Sequence, residues 1–149
     1  MGRGRPPPPR ASRGRDRSGR HEGRNPLENR SKERIELGRR GEEAAVLYLA
    51  GGRFRIVERG YRYGRGEIDI IARDGPALVF VEVKTRTDPR LGYPEEAVTP
   101  AKRRQIRKIA RSYLYEHPET AGLPCRFDVL AVEFQEDGRP IVRHIRDAF

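Results

Sequence analysis

Four residues in two Ile/Val-rich segments have types and spacings suited to chemistry on phosphate groups. Glu67 and Asp69 lie in the run Gly66–Arg73, and Glu82 and Lys84 lie in the run Ala77–Thr85. Asp74-Gly75 between the runs reads as a two-residue hairpin turn, because both positions of such a turn need positive φ. That turn pairs Arg73 with Pro76, Asp69 with Phe80 and Glu67 with Glu82. Directly paired residues point to the same face of a sheet. Glu67, Asp69, Glu82 and Lys84 therefore share one face, and Ile68, Ile70, Val79, Val81 and Val83 share the other. Asp69 and Glu82 come out as diagonal neighbours, about 7–8 Å apart at the backbone. Two carboxylates that close repel unless a cation lies between them. Mg²⁺ favours oxygen ligands and commonly takes one or two protein carboxylates plus substrate phosphate. Lys84 beside them could neutralise charge developing on a phosphoryl group. The alternative is a solvated sheet face with cross-strand ion pairs of small energetic worth. Spacing alone does not separate the two.

A helix is predicted to bring a further acid to this face. From about Ser31, Arg34, Gly38, Gly41, Glu42, Ala45, Tyr48 and Leu49 fall in one stripe at helical spacing, and Gly51-Gly52 ends it. Glu42 is on the inward stripe, while Glu43 points roughly opposite. An acid at the edge of a buried face needs a partner, which a metal or a basic side chain on the sheet would supply. Phe54–Tyr61 alternates weakly and reads as a strand. Thr99-Pro100 is an N-cap with Pro at the first helical position, opening a helix to about His117 that buries Ile106, Ala110, Tyr113 and Leu114. Cys125–Phe134 and Pro140–Ile145 read as a second hairpin around Asp137-Gly138. Helix, three strands, helix and two strands predict an α+β or mixed α/β sandwich.

The 149-residue chain holds 32 Lys and Arg against 22 Asp and Glu, a formal charge of +10. Residues 1–30 carry nine Arg, three acids and only Met1, Ala11 and Leu27 as apolar residues. Such a segment cannot bury enough apolar surface to offset its chain entropy. Residues 1–31 are therefore expected to be a disordered Arg/Gly/Pro-rich basic tail, and residues 32–149 one folded domain. Arg3-Gly4-Arg5-Pro6 resembles the core of an AT-hook over four residues only, and a phosphate-binding arm without sequence preference accounts for it better. Cys125 is the only cysteine and the three histidines are scattered, which excludes a disulfide within the chain and a Cys/His zinc site. The longest apolar run, Ala44–Ala50, is far short of the roughly 20 residues a membrane helix needs. No membrane association and a cytoplasmic location are expected, with polyanions such as nucleic acid as natural partners of the excess positive charge.

Gly66-Glu67-Ile68-Asp69-Ile70-Ile71-Ala72, followed by Phe80-Val81-Glu82-Val83-Lys84-Thr85-Arg86, resembles the PD-(D/E)XK nuclease superfamily. Within it the chain is most similar to the uncharacterised YraN family, itself similar to archaeal Holliday-junction resolvases. The resemblance extends to Gly38-Arg39-Arg40-Gly41-Glu42, to Lys102-Arg103-Arg104, to Arg126-Phe127-Asp128-Val129 and to Asp147-Ala148-Phe149. It covers about residues 34–149. The superfamily's usual Pro before the Asp is replaced by Ile68. The resemblance implies a restriction-endonuclease-like αβββαβ core, a mixed sheet flanked by helices. It implies Mg²⁺ or Mn²⁺ held by Asp69, Glu82 and the carbonyl of Val83. Lys84 would position or activate the attacking water, and Glu42 would complete the acidic set. Glu67 has no role in that pattern. The implied chemistry is metal-assisted hydrolysis of a phosphodiester bond, in DNA recombination or repair. Resolvase-like members act as dimers, which implies a homodimer.

Arg104, Arg107, Lys108 and Arg111 along the second helix, Lys102 in its first turn and Arg86 at the strand end are candidate phosphate contacts that give affinity rather than sequence choice. Plain solubility accounts for any one of them as well. The sequence also admits a nucleic-acid-binding protein that keeps a nuclease-like fold and performs no chemistry.

Overall fold

Asn25 and Pro26 start the first helix, α1 (Pro26–Gly51), in a computed structural model that describes residues 25–87, 90, 92, 93, 96 and 98–149. The Asn25 side chain accepts the Leu27 N–H at 3.1 Å, and Pro26 occupies a position where a missing N–H costs nothing. The helix thus begins before the expected Ser31, so residues 26–31 of the expected tail are helical. Residues 1–24, including Arg3-Gly4-Arg5-Pro6, lie outside the described residues.

Five strands follow the expected order: β1 (Phe54–Tyr63), β2 (Gly66–Asp74), β3 (Ala77–Arg86), then helix α2 (Pro100–Glu116), a 3-10 turn, β4 (Cys125–Phe134) and β5 (Pro140–Ile145). They form one sheet in the order β1-β2-β3-β4-β5. All neighbours are antiparallel except β3 and β4, which run parallel with α2 in the connection between them. Helix α1 covers one face through Ala45 and Leu49, packed on Ile70, Ala72, Val79, Val81, Leu130 and Val132. Helix α2 covers the other through Ile106, Ile109 and Tyr113, packed on Ile71, Leu78, Phe80 and Val129. The result is an α+β mixed sheet between two helices, consistent with the expected restriction-endonuclease-like core. No described helix is long and apolar enough to cross a membrane.

The first hairpin turns one residue later than expected. Asp74 pairs with Ala77, so Gly75 (φ 56°) and Pro76 form the loop, and Ile71 pairs with Phe80 and Ile70 with Val81. Two forces set this register. Pro76 has no N–H to give to a ladder and is displaced into the turn. Asp74 is buried and held in the strand by Arg53 (2.7 Å), Arg126 (2.9 Å) and Arg146 (3.4 Å).

Arg126 extends this buried polar network to Asp128, which is fully buried. Asp128 accepts from Arg126 Nε at 2.8 Å and the Asp147 amide at 3.0 Å, and lies 2.7 Å from His144 Nε2. Burial alone would raise the Asp128 pKa, but the hydrogen bonds from His144, Arg126 and Asp147 outweigh it and hold the pKa at about 2. A depressed pKa stabilises the fold above the ordinary value of 3.8, and that contribution is lost as pH falls toward about 2. Asp128→Ala should cost about 3–5 kcal/mol by removing the buried acceptor shared by Arg126, His144 and the Asp147 amide, read as a lowered urea midpoint at pH 7. The gap between variant and wild type should narrow in the same titration between pH 4 and pH 2.

Candidate functional site

The β2–β3 ladder runs from Asp74↔Ala77 to Ile70↔Val81 and stops there, although both strands continue. Beyond it β2 pairs only with β1, and β3 only with β4. Asp69 sits in the fork, and its Oδ2 accepts the Val83 N–H at 2.8 Å. A side-chain carboxylate thereby satisfies a backbone donor where strand pairing ends.

The fork is accompanied by a change of face. Ile70 packs with the α1 cluster, while Ile68, two residues away, packs with the α2 cluster. In a regular strand they would face the same way. On β1 the change coincides with Gly60, whose φ of 65° is open mainly to glycine. The expectation of a single charged face is corrected accordingly: Ile68 leaves the expected apolar face, and the acids straddle the fork. On the α1 side, carboxylate oxygens of Glu42, Glu67 and Asp69 all lie within 4.8 Å of one another. On the α2 side, Glu82 is buried between two lysines, with Lys102 Nζ at 3.7 Å and Lys84 Nζ at 3.8 Å from its Oε1. Asp69 joins the halves electrostatically, since the neighbouring Glu82 carboxylate helps to raise its pKa.

Close helix approach makes this convergence possible. A Cβ at Gly41 would overlap the Thr85 hydroxyl, so only glycine lets α1 bring Glu42 against the end of β3. A Cβ at Gly66 would lie 2.8 Å from Gln105 Nε2 and collide with Ile109, so α2 comes equally close on the other face. Thr99 Oγ1 caps α2 by accepting the Lys102 N–H at 3.2 Å, which fixes the turn that carries Lys102.

The electrostatics are those of acids crowded together out of water. Burial, then the neighbouring Glu82 and Glu67 carboxylates, raise Asp69 to about 7 against the Val83 N–H and Lys102. Burial also raises Glu82, opposed by Lys102 and Lys84. Glu42 is raised by burial and by Asp69 and Glu67. Glu67 is bonded to Arg62 Nε at 2.9 Å.

Glu42, Asp69, Glu82, Lys84 and Lys102, named from sequence, are thus brought together. Glu67 was given no role there, and the geometry places it beside Glu42 and Asp69. Its signal was its position two residues before Asp69. Val83 reaches the site through its N–H. Arg86 lines a hollow beside Glu42 and Lys84. Arg104, Lys108 and Arg111 are exposed on the side of α2 roughly opposite Lys102. Arg107 lies over the Phe127 and Phe149 rings.

Residues 41–132 match the family described as "Uncharacterised protein family UPF0102". The UPF0102 protein of Geotalea uraniireducens is 49% identical over 113 residues, covering 76% of this chain and 88% of the relative. That of Geotalea daltonii is 50% identical over 113 residues, with the same coverage of 76% and 88%. That of Chlorobium limicola is 54% identical over 96 residues, or 64% of this chain and 74% of the relative. The matched segment contains Glu42, Glu67, Asp69, Glu82, Lys84 and Lys102, and the chain belongs to the uncharacterised UPF0102, or YraN, family.

Proposed function

We propose that the chain is a divalent-metal-dependent nuclease that hydrolyses phosphodiester bonds in DNA. The observation that carries this reading is the convergence of Glu42, Glu67 and Asp69 within 4.8 Å, next to a buried Glu82 flanked by two lysines. The donor set fits a hard cation. It consists of carboxylate oxygens, which suit Mg²⁺ or Mn²⁺, and their mutual repulsion is relieved by a cation between them. Glu42, Glu67 and Asp69 would hold the ion, with Glu82 on the far side of Asp69. A bound divalent ion would supply Lewis acidity toward a phosphoryl oxygen and toward water. Lys84 and Lys102 would stabilise negative charge as it develops on the phosphoryl group. Water oxygen attacks phosphorus, the P–O ester bond breaks, and a phosphate monoester and a hydroxyl result.

Asp69→Asn and Lys84→Ala should each lower cleavage at least about a hundredfold. Purified protein with Mg²⁺ or Mn²⁺ would be assayed on single-stranded, duplex and four-way-junction DNA. Failure of the wild type to cut any of them overturns the reading.

A second prediction needs no substrate. Asp69 has a folded pKa near 7 against an ordinary 3.8, so in metal-free protein its burial destabilises the fold progressively as pH rises from about 4 to about 7. Asp69→Asn should therefore raise the thermal midpoint more at pH 8 than at pH 5. Added Mn²⁺ should raise the wild-type midpoint at pH 8 and leave the variant little changed.

One observation favours a second reading, a nucleic-acid-binding protein without catalysis. The two lysines around Glu82 partly balance the acids from within. Calorimetry showing DNA binding but no heat of Mn²⁺ binding would select it.

A further inference from the structure

We propose that a basic groove between the first half of α1 and the outer end of β3 holds the sugar-phosphate backbone of one nucleic-acid strand, with Arg30 and Arg34 as positioning residues. The proposal extends the reading of the acidic site as a nuclease centre, into which the groove leads. From Pro26 to Arg40 no residue of α1 is buried, and burial begins at Gly41. This half of the helix is therefore open to solvent over about 22 Å at about 1.5 Å per residue, with Arg40 at its inner end over the Phe134 ring.

Two hollows lie along this half of α1. The first, about 520 Å³, is lined by Glu42, Lys84 and Arg86, so it opens beside the acidic site. The second, about 640 Å³, is lined by Arg30, Lys32 and Arg40. They adjoin at Arg34, Leu37 and Thr87, which line both. Together their walls carry six basic residues against Glu33, Glu36 and Glu42. Glu36 is already engaged by Arg39, at 2.7 and 3.1 Å. Arg30, Arg34, Leu37 and Gly41 follow helical spacing on one face. The stripe that seats α1 on β3 at Gly41 thus continues outward as a row of cations. Arg30 to Gly41 spans about 16 Å, the rise of four or five nucleotides at about 3.4 Å each. A nucleic-acid strand carries a linear repeat of phosphate charge that suits this row, and contacts to phosphates set register without reading sequence. Arg30, Arg34 and Arg40 precede residue 41, where the family match begins, so family membership does not assign this groove.

The test is fluorescence anisotropy of the full chain with labelled DNA, Ca²⁺ replacing Mg²⁺, across a salt titration. Arg30→Gln/Arg34→Gln should weaken binding about tenfold at moderate salt and reduce the slope of log K against log salt by about 2. Arg55→Gln/Arg139→Gln removes the same charge from residues lining neither hollow and should bind like the wild type. Equal loss in both pairs, no loss in the first, or no DNA binding by the wild type overturns the groove. Groove-dependent binding by a wild type that cleaves nothing with Mg²⁺ sustains the groove and overturns the nuclease reading. Cleavage and binding unaffected by the groove variant do the reverse.

Discussion

The parting of β2 from β3 after Ile70↔Val81, with Asp69 accepting the Val83 N–H in the gap, organises the rest of the site. A continuous ladder would keep side chains of opposite faces apart by the thickness of the sheet. Where the strands separate, groups supported by α1 and by α2 can reach the same space. Glu42 and Glu67 meet Asp69 from one side, and Lys102 meets Glu82 from the other. The irregularity at Gly60 on β1 belongs to the same construction, because it lets the outer part of the ribbon turn over.

Two aspartates show how environment, rather than residue type, sets chemical character. Asp128 is fully buried, yet Arg126, His144 and a backbone amide surround it with donors, and it titrates at about 2. Asp69 has one backbone donor and faces other acids, and it titrates at about 7. The first arrangement ties β4 to β5 and to the C-terminal residues and leaves no charge in need of a partner. The second stores repulsion that a cation would relieve. Stabilising ion pairs and unrelieved repulsion are thus assigned to different carboxylates of one sheet.

Both helices come close to the site end of the sheet, and each does so over a glycine. Gly41 admits the end of β3 to α1, and Gly66 admits α2 to the start of β2. Small residues at those two points convert helix packing into side-chain convergence, since any Cβ would push Glu42 or Lys102 outward. Thr99 and Pro100 add local precision by fixing the first turn of α2.

Much of this was legible in the residues themselves. Strand and helix order follows from periodicity and from Gly and Pro punctuation. The strands at Cys125–Phe134 and Pro140–Ile145 and the helix from Pro100 fall where the pattern puts them. The acids Asp69 and Glu82 with Lys84 were recognisable from spacing, and Glu42 from its place on the inward stripe. The turn position was misread by one residue because Asp-Gly is the stronger local signal. Its competitors were the absent N–H of Pro76 and the long-range ion pairs of Asp74 with Arg53, Arg126 and Arg146. That shift alone, an even step in pairing, would have kept Asp69 and Glu82 on one face; the parting of the strands beyond Ile70↔Val81 set them astride the fork. The role of Glu67, the crossing of Ile68 to the other face and the pairing of Lys102 with Glu82 were beyond local reading. They depend on where two strands separate and how near two helices approach, and those distances arise only when distant segments pack. Sequence determined which elements form and which residue types they carry; packing decided which of those residues meet, because side-chain convergence is a property of the assembled layers.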